Sequence, residues 1–263
     1  MTVDPWSPDR YERFRSERSR PFFDLLALVR PRAGMSVVDL GCGTGDLTLS
    51  LHERLAARHT LGVDASASML ERAATLRAPG LRFDRGDIAD FSPEEKLDLI
   101  FSNAALHWLP DHPRLIARLA GGLAPGGQIA FQIPANDGHP SHAIAHELAR
   151  EAPFAAALGG FSSRPAPLPP ARYAELFHRL GFCAQAVRLE IYGHLLAGPQ
   201  EVFEWVRATL LTDYERRLSG DLYARFLDLY RARLLERLPA ASPYFYSYPR
   251  ILAWAALPAA RNP

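Results

Sequence analysis

Lysine is almost missing from this sequence: Lys96 stands alone, and the other 29 of the 30 basic residues are arginine. Such a skew marks a G- and C-rich coding sequence more often than chemistry, so no single arginine identifies an anion site by itself. Cysteine is scarce as well. Cys42 and Cys183 can build neither a disulfide framework nor a four-cysteine metal site, and they suit a reducing compartment. Charge of one sign is lacking too: the net charge is +1, which leaves no electrostatic footprint for a nucleic-acid partner. There is no long apolar run. The longest uncharged stretch, the 18 residues Leu119–Asn136, holds two prolines and four glycines, and so reads as a turn and a strand rather than a membrane span. The N-terminus, MTVDPWSPDRYERFRSERSR, carries charge where a signal peptide needs an apolar core. A cytoplasmic protein with no membrane partner is expected.

What is present suits a folded α/β chain. Of 263 residues, 48% are hydrophobic and 22% charged, which excludes a disordered or collagen-like chain and leaves room for one or two domains. Short β-rich runs alternate with helical patterns through the first half. Ser36–Leu40, Thr60–Asp64, Leu81–Gly86, Leu97–Asn103 and Gly127–Ile133 read as strands. Ser66 is placed to cap a helix running to Leu76, and Pro113 opens another that stops at Gly121–Gly122. Apolar strands separated by helices predict a parallel sheet covered on both faces. Beyond the proline-rich Arg164–Pro170, Ala171–Leu180 reads as a helix, Val187–His194 as a sixth strand and Arg250–Leu257 as a last one. Two helical patterns, Pro199–Leu211 and Ser219–Leu238, interrupt the strands as a cap would.

The most informative stretch is Asp39-Leu-Gly-Cys-Gly-Thr-Gly45, between the first strand and the first helix after it. Glycines there make a tight turn whose backbone a ligand can approach, because no Cβ stands in the way. A dinucleotide fingerprint would read G-x-G-x-x-G and deliver a pyrophosphate to the helix N-terminus. Here Gly41, Gly43 and Gly45 are spaced G-x-G-x-G, and Asp46 occupies the place of the third dinucleotide glycine. An acid at that point opposes a pyrophosphate and favours a ligand without phosphates.

This turn resembles motif I of the class I S-adenosylmethionine-dependent methyltransferases. The resemblance implies a Rossmann-like seven-stranded, mostly parallel sheet with helices on both faces and a helical cap insertion. It implies S-adenosyl-L-methionine as cofactor and S-adenosyl-L-homocysteine as its product. Asp64, 23 residues after Gly41, stands where such folds hold the ribose hydroxyls, with Ala65 beside it. Asp87 and Ile88 fall where the family places an acid and an apolar neighbour by the adenine, and Asn103 ends the fourth strand. Met69 packs either on the adenine or into the core, and both readings stand. A narrower resemblance runs nearly end to end: Trp6, Tyr11-Glu-Arg-Phe, Glu17-Arg-Ser-Arg-Pro21, Ser102–His112, Phe203–Thr209 and Tyr248–Ile251 are similar to the trans-aconitate 2-methyltransferase family. Residues 1-30 are then a lid segment, 31-194 with 248-263 the methyltransferase domain, and 195-247 the cap.

The reaction so implied is esterification of a carboxylate, with trans-aconitate the expected acceptor. A carboxylate with a pKa of about 4 is already ionised at neutral pH and needs no general base. Carboxylates that do not react need counter-charges, and the planar fork of arginine suits them. Arg18, Arg20, Arg207 and Arg250 are the candidates. Tyr11, Tyr246 and Trp108 are expected beside the acceptor, together with His107, which donates to a carboxylate or serves as a base toward a hydroxyl or carbon acid. Hydroxyl or carbon methylation of a larger metabolite or carrier-bound acyl group, or cofactor binding without turnover, are the rival readings. His139, His142 and His146 could share a helix face. With no cysteine or carboxylate ligands clustered around them, a solvent-exposed helix end is expected and no metal. A small-molecule partner and a monomer complete the expectation.

Overall fold

Apolar runs too short for stable helices become the strands of a seven-stranded sheet in the computed structural model, which describes residues 15–260, with side chains from residue 19. The strands are β1 (Ser36–Leu40), β2 (His59–Asp64), β3 (Leu81–Arg85), β4 (Leu97–Asn103), β5 (Leu123–Pro134), β6 (Ala184–Leu196) and β7 (Tyr244–Ala256), in the order β3-β2-β1-β4-β5-β7-β6. The first five pair in parallel, and β7 runs antiparallel to β5. The order reverses between β1 and β4, which opens a crevice at their carboxyl ends, the usual place for a ligand in an open α/β sheet.

Helices cover both faces. They are α1 (Arg15–Leu26), α2 (Asp46–Leu55), α3 (Ala67–Ala73), α4 (His112–Gly121), α5 (Pro140–Leu148), α6 (Phe154–Ala157), α7 (Pro170–Arg179), α8 (Gln200–Arg207), α9 (Thr212–Glu215) and α10 (Gly220–Arg237), with a 3-10 turn at Leu106–Trp108. Phe22 of α1 meets Phe101 of β4, ring centroids 5.1 Å apart, on one face. Phe131, one residue past the register partner of Phe101, points the other way and meets Tyr173 of α7 at 5.3 Å. Local chemistry sets the helix ends. The Ser66 hydroxyl accepts from the Met69 N–H, Asp111 caps α4 ahead of Pro113, and Gly181 ends α7 in the left-handed conformation.

The chain divides into two compact units. One takes the chain up to Pro134, Pro167–Glu190 and the residues from Arg250 onward; the other is Ala135–Ala166 with Ile191–Pro249. The sequence puts the division at 195 and 247 and leaves Ala135–Ala166 with the sheet. The structure groups that segment with the helical unit because α5 docks there: the Tyr230 hydroxyl of α10 donates to the Ser141 carbonyl at 2.6 Å. Arg233 forks onto Glu151, Arg237 pairs with Glu147, and Phe226 stacks on Tyr214. Buried Asp213 takes a two-pronged bond from Arg164 at 2.6 Å.

Two sequence expectations change. β7 begins at Tyr244 rather than Arg250, so Pro249 lies inside the strand. The histidines of α5 do not sit at an exposed helix end: His142 and His146 are half-buried, and burial together with its two histidine neighbours pushes His142 down to about 3. Among the described residues no helix is long and apolar enough to cross a membrane.

Candidate active site

The loop after β1 is fixed by its backbone. The N–H groups of Gly41 and Cys42 both donate to the Val63 carbonyl of β2, at 2.8 and 3.1 Å. Gly41, Gly43 and Gly45 all have positive φ (80°, 55° and 80°). Their surroundings differ. A Cβ on Gly41 would collide with the Ala105 side chain, and one on Gly45 would press to 2.7 Å on Phe83 and 2.9 Å on Ala73. A Cβ on Gly43 would meet nothing within 4 Å. Two glycines are thus demanded by packing, while Gly43 faces open space.

Two carboxylates frame this opening. Asp64 ends β2 and accepts from the Gly43 N–H through Oδ2 and from the Ser66 N–H through Oδ1, both at 2.9 Å. Asp39 is buried in β1, where Thr48 of α2 donates to its Oδ2 at 2.6 Å. Its Oδ1 is buried with no hydrogen-bond partner among the described residues. Burial is the main cause that pushes Asp39 up to about 7; the Thr48 bond opposes the shift and the Asp64 charge adds to it. The Cys42 thiol is pushed up as well, by burial and then by the Asp39 and Asp64 charges, away from the reactive range.

The remaining sequence-predicted cofactor residues belong to the same unit. Asp87 follows β3, exposed, and accepts from the Ala89 N–H at 2.8 Å. The Ile88 side chain comes within 3.7 Å of where a Cβ on Gly41 would stand. Met69 is buried at the start of α3, and Ala65 precedes its cap. Asn103 ends β4, its Oδ1 buried without a hydrogen-bond partner among the described residues. The next residue, Ala104, holds a φ of 55°, an uncommon conformation for a residue with a side chain. That turn delivers Ala105 against Gly41 and leads into the 3-10 turn bearing His107 and Trp108, whose rings lie 4.9 Å apart.

The expected acceptor residues are less uniform. Arg250 is buried, 4% exposed, and its Nη1 donates to the Gln132 Oε1 at 3.4 Å. Arg20 is exposed on α1, 3.8 Å from Asp24. Arg207 is half-buried in the last turn of α8, in the second unit. Tyr246, also in that unit, is fully enclosed. Its hydroxyl accepts from the Asn136 amide at 3.0 Å and shares a hydrogen bond with Ser141 at 3.2 Å, a core position rather than an open donor. Tyr11 lies outside the described residues, and the Arg18 side chain does too. Sequence reasoning missed Gln132, a polar residue inside the apolar run GQIAFQI. It missed Thr48, which holds Asp39, and it missed the His112–Tyr173 pair. His112 Nε2–H donates to the Leu106 carbonyl at 3.0 Å, so its Nδ1 accepts from the Tyr173 hydroxyl at 2.5 Å. No group of three or more histidine, cysteine or acidic side chains among the described residues could hold a metal ion.

These residues fit the cofactor that the resemblance implies. The open face at Gly43 lets a ligand approach the backbone, Asp64 offers acceptors to a sugar diol, and the unpartnered Asp39 Oδ1 suits a cation without phosphates.

Comparison with known proteins agrees. A family model described as a methyltransferase domain matches residues 37–127. The chain is 44% identical to a trans-aconitate 2-methyltransferase of Deinococcus radiodurans over 96% of its own length and 98% of that protein's. It is 40% identical to one of Methylobacterium nodulans, covering 89% and 90%. Among solved structures, the YcgJ protein of Bacillus subtilis matches with a TM-score of 0.59 at 15% identity, over 91% of this chain and 99% of that one. Phosphoethanolamine N-methyltransferase 2 of Haemonchus contortus matches at 0.51 and 16%, over 91% and 52%. The last two establish the fold; by the first two, this chain belongs to the trans-aconitate 2-methyltransferase family.

Proposed function

We propose that the protein transfers a methyl group from S-adenosyl-L-methionine to a carboxylate oxygen of trans-aconitate, or of a closely similar small polycarboxylate, giving a monomethyl ester. The observation that carries this reading is the 44% identity to a relative of that name across almost the whole of both chains. The bound cofactor supplies an electrophilic methyl group on a sulfonium. The residues of this chain position and enclose. Gly43 and Asp64 hold the nucleoside end, with Asp87, Ile88, Met69, Ala65 and Asn103 around it. The acceptor arrives already ionised, so the chain needs no base; it has to align the carboxylate and exclude the water that solvates it. Alignment of this kind supplies on the order of 7–11 kcal/mol. Arg250, a buried cation, supports the reading because an enclosed anion needs a counter-charge close by. His107, Trp108 and Arg20, in the same unit as Arg250, are proposed to line the acceptor. The same reading makes the protein a cytoplasmic monomer that works without nucleic acid.

Incubation with methyl-labelled cofactor and a panel of acids tests it. A base-labile ester, formed with trans-aconitate ahead of citrate and of dicarboxylates, is expected. A base-stable product on oxygen or carbon, or tight cofactor binding with no product from any acid, overturns it.

A further inference from the structure

Three polar side chains gather where the carboxyl ends of β4 and β5 lie beside the middle of β7, which runs antiparallel to β5. Asn103 is in register with Gln132, and Gln132 lies one residue pair, Ile133↔Ile251, from the pair of Pro134 with Arg250. In such a ladder, register partners share a face of the sheet, and every second pair returns to it. Asn103, Gln132 and Arg250 therefore stand on one face. It is the face of Phe101, against which α1 packs. Gln132 is 0% exposed and Arg250 4%. The guanidinium donates to the Gln132 Oε1, which settles the orientation of the amide: turned over, its NH2 would face a cation. With Oε1 committed, Nε2 carries its hydrogens away from Arg250, and it is buried with no hydrogen-bond partner among the described residues. Interiors pair such donors, and the pair that satisfies an amide N–H next to a buried cation is an anion.

We propose that Gln132 and Arg250 form a carboxylate-binding subsite, in which the Gln132 amide donates to one carboxylate of the acceptor while Arg250 supplies the charge. This rests on the proposed function for the identity of the acid and adds the residue that selects it. Arginine alone attracts any anion. The fixed amide demands an acceptor oxygen at a set place, and so separates a polycarboxylate from a shorter acid carrying the same charge at the reacting end.

The test is calorimetric titration of trans-aconitate into enzyme saturated with S-adenosyl-L-homocysteine, for the unaltered protein, Gln132→Met and Gln132→Glu, alongside KM and kcat. Gln132→Met keeps the length and removes the donors; Gln132→Glu keeps the shape, sets a carboxylate against the incoming one, and is read if the methionine variant does not fold. Kd and KM for the acid are expected to rise at least tenfold in both, with kcat within threefold and the Kd of S-adenosyl-L-homocysteine within twofold. Acid affinity within twofold of the unaltered protein overturns the subsite. Equal loss of acid and cofactor also overturns it, as does a fall in kcat at constant acid Kd, or failure of the unaltered protein to bind the acid. If the unaltered protein binds the acid, the variants do not, and no ester forms with any acid, then the subsite stands and the proposed function falls.

Discussion

Asp39 combines three properties that no other residue of the glycine loop shares. It is buried, it is held by Thr48 through one oxygen, and its other oxygen has no hydrogen-bond partner among the described residues. Burial raises its pKa to about 7, so near neutrality the carboxyl is half protonated while the pocket lacks a cation. A cationic ligand favours the ionised form, and binding must then release a proton. The sign follows directly: affinity falls as pH drops through the free-state value. For a group titrating near 7 in the free protein and well below it in the complex, S-adenosyl-L-methionine should bind about tenfold more weakly at pH 6 than at pH 8. Asp39→Asn should bind more weakly at pH 8 and lose most of that slope. The variant also subtracts the titration of the ligand's own amine, which lies in the same range. An unchanged slope in Asp39→Asn would assign the proton to the ligand and remove Asp39 from the site.

At the scale of elements, the proposed acceptor side hangs on a short connection. The 3-10 turn Leu106–Trp108 is tied to α4 through His112 and, through the Tyr173 hydroxyl, to α7. Burial lowers the His112 pKa, which keeps the ring neutral and able to accept from Tyr173. Tyr173→Phe removes the donor to His112 and the acceptor for the Leu168 N–H. Leaving buried groups unpaired costs about 1–3 kcal/mol, expected as a lower urea midpoint at unchanged m-value. The elements themselves were largely legible in the sequence, because strand alternation, the glycine turn and the Ser66 cap are local signals. The early start of β7 was not: Pro249 reads as a break, yet the strand accommodates it and still accepts the Ala135 N–H at its carbonyl. Nor was the environment of the α5 histidines, which depends on partners about a hundred residues away: Tyr246 stacks edge-on to His139 and Tyr230 bonds the Ser141 carbonyl. The glycine loop was readable as a tight turn for the same reason that the strands were. The Gln132–Arg250 pair was not, since it joins residues 118 positions apart and one of them resembles an ordinary polar slip in a buried strand.

Across the whole molecule, acid acts in opposite directions on two buried groups, one in each unit. Asp39, in the sheet unit, has a folded pKa of about 7 against about 4 unfolded, so the folded state holds its proton more tightly. Its stabilising contribution is complete below pH 4 and is lost as pH rises through 7. His142, in the helical unit, is depressed to about 3 by burial and by the charges of His146 and His139. Its contribution is complete above pH 6.5 and is lost as pH falls toward 3. Between pH 7 and pH 5 each change amounts to about 2 kcal/mol, with opposite sign. His112, His139 and His146, all lowered by burial, add to the loss on the acid side. Thermal melts from pH 7 to pH 5 should therefore show only a modest fall in Tm for the unaltered protein. Asp39→Asn should fall further over the same interval, by about 4–8 °C, and His142→Gln should fall less or rise. Identical pH slopes in all three proteins would mean that neither group changes its proton affinity on folding, and the buried carboxyl beneath the glycine loop would then lose its claim to sense a cation.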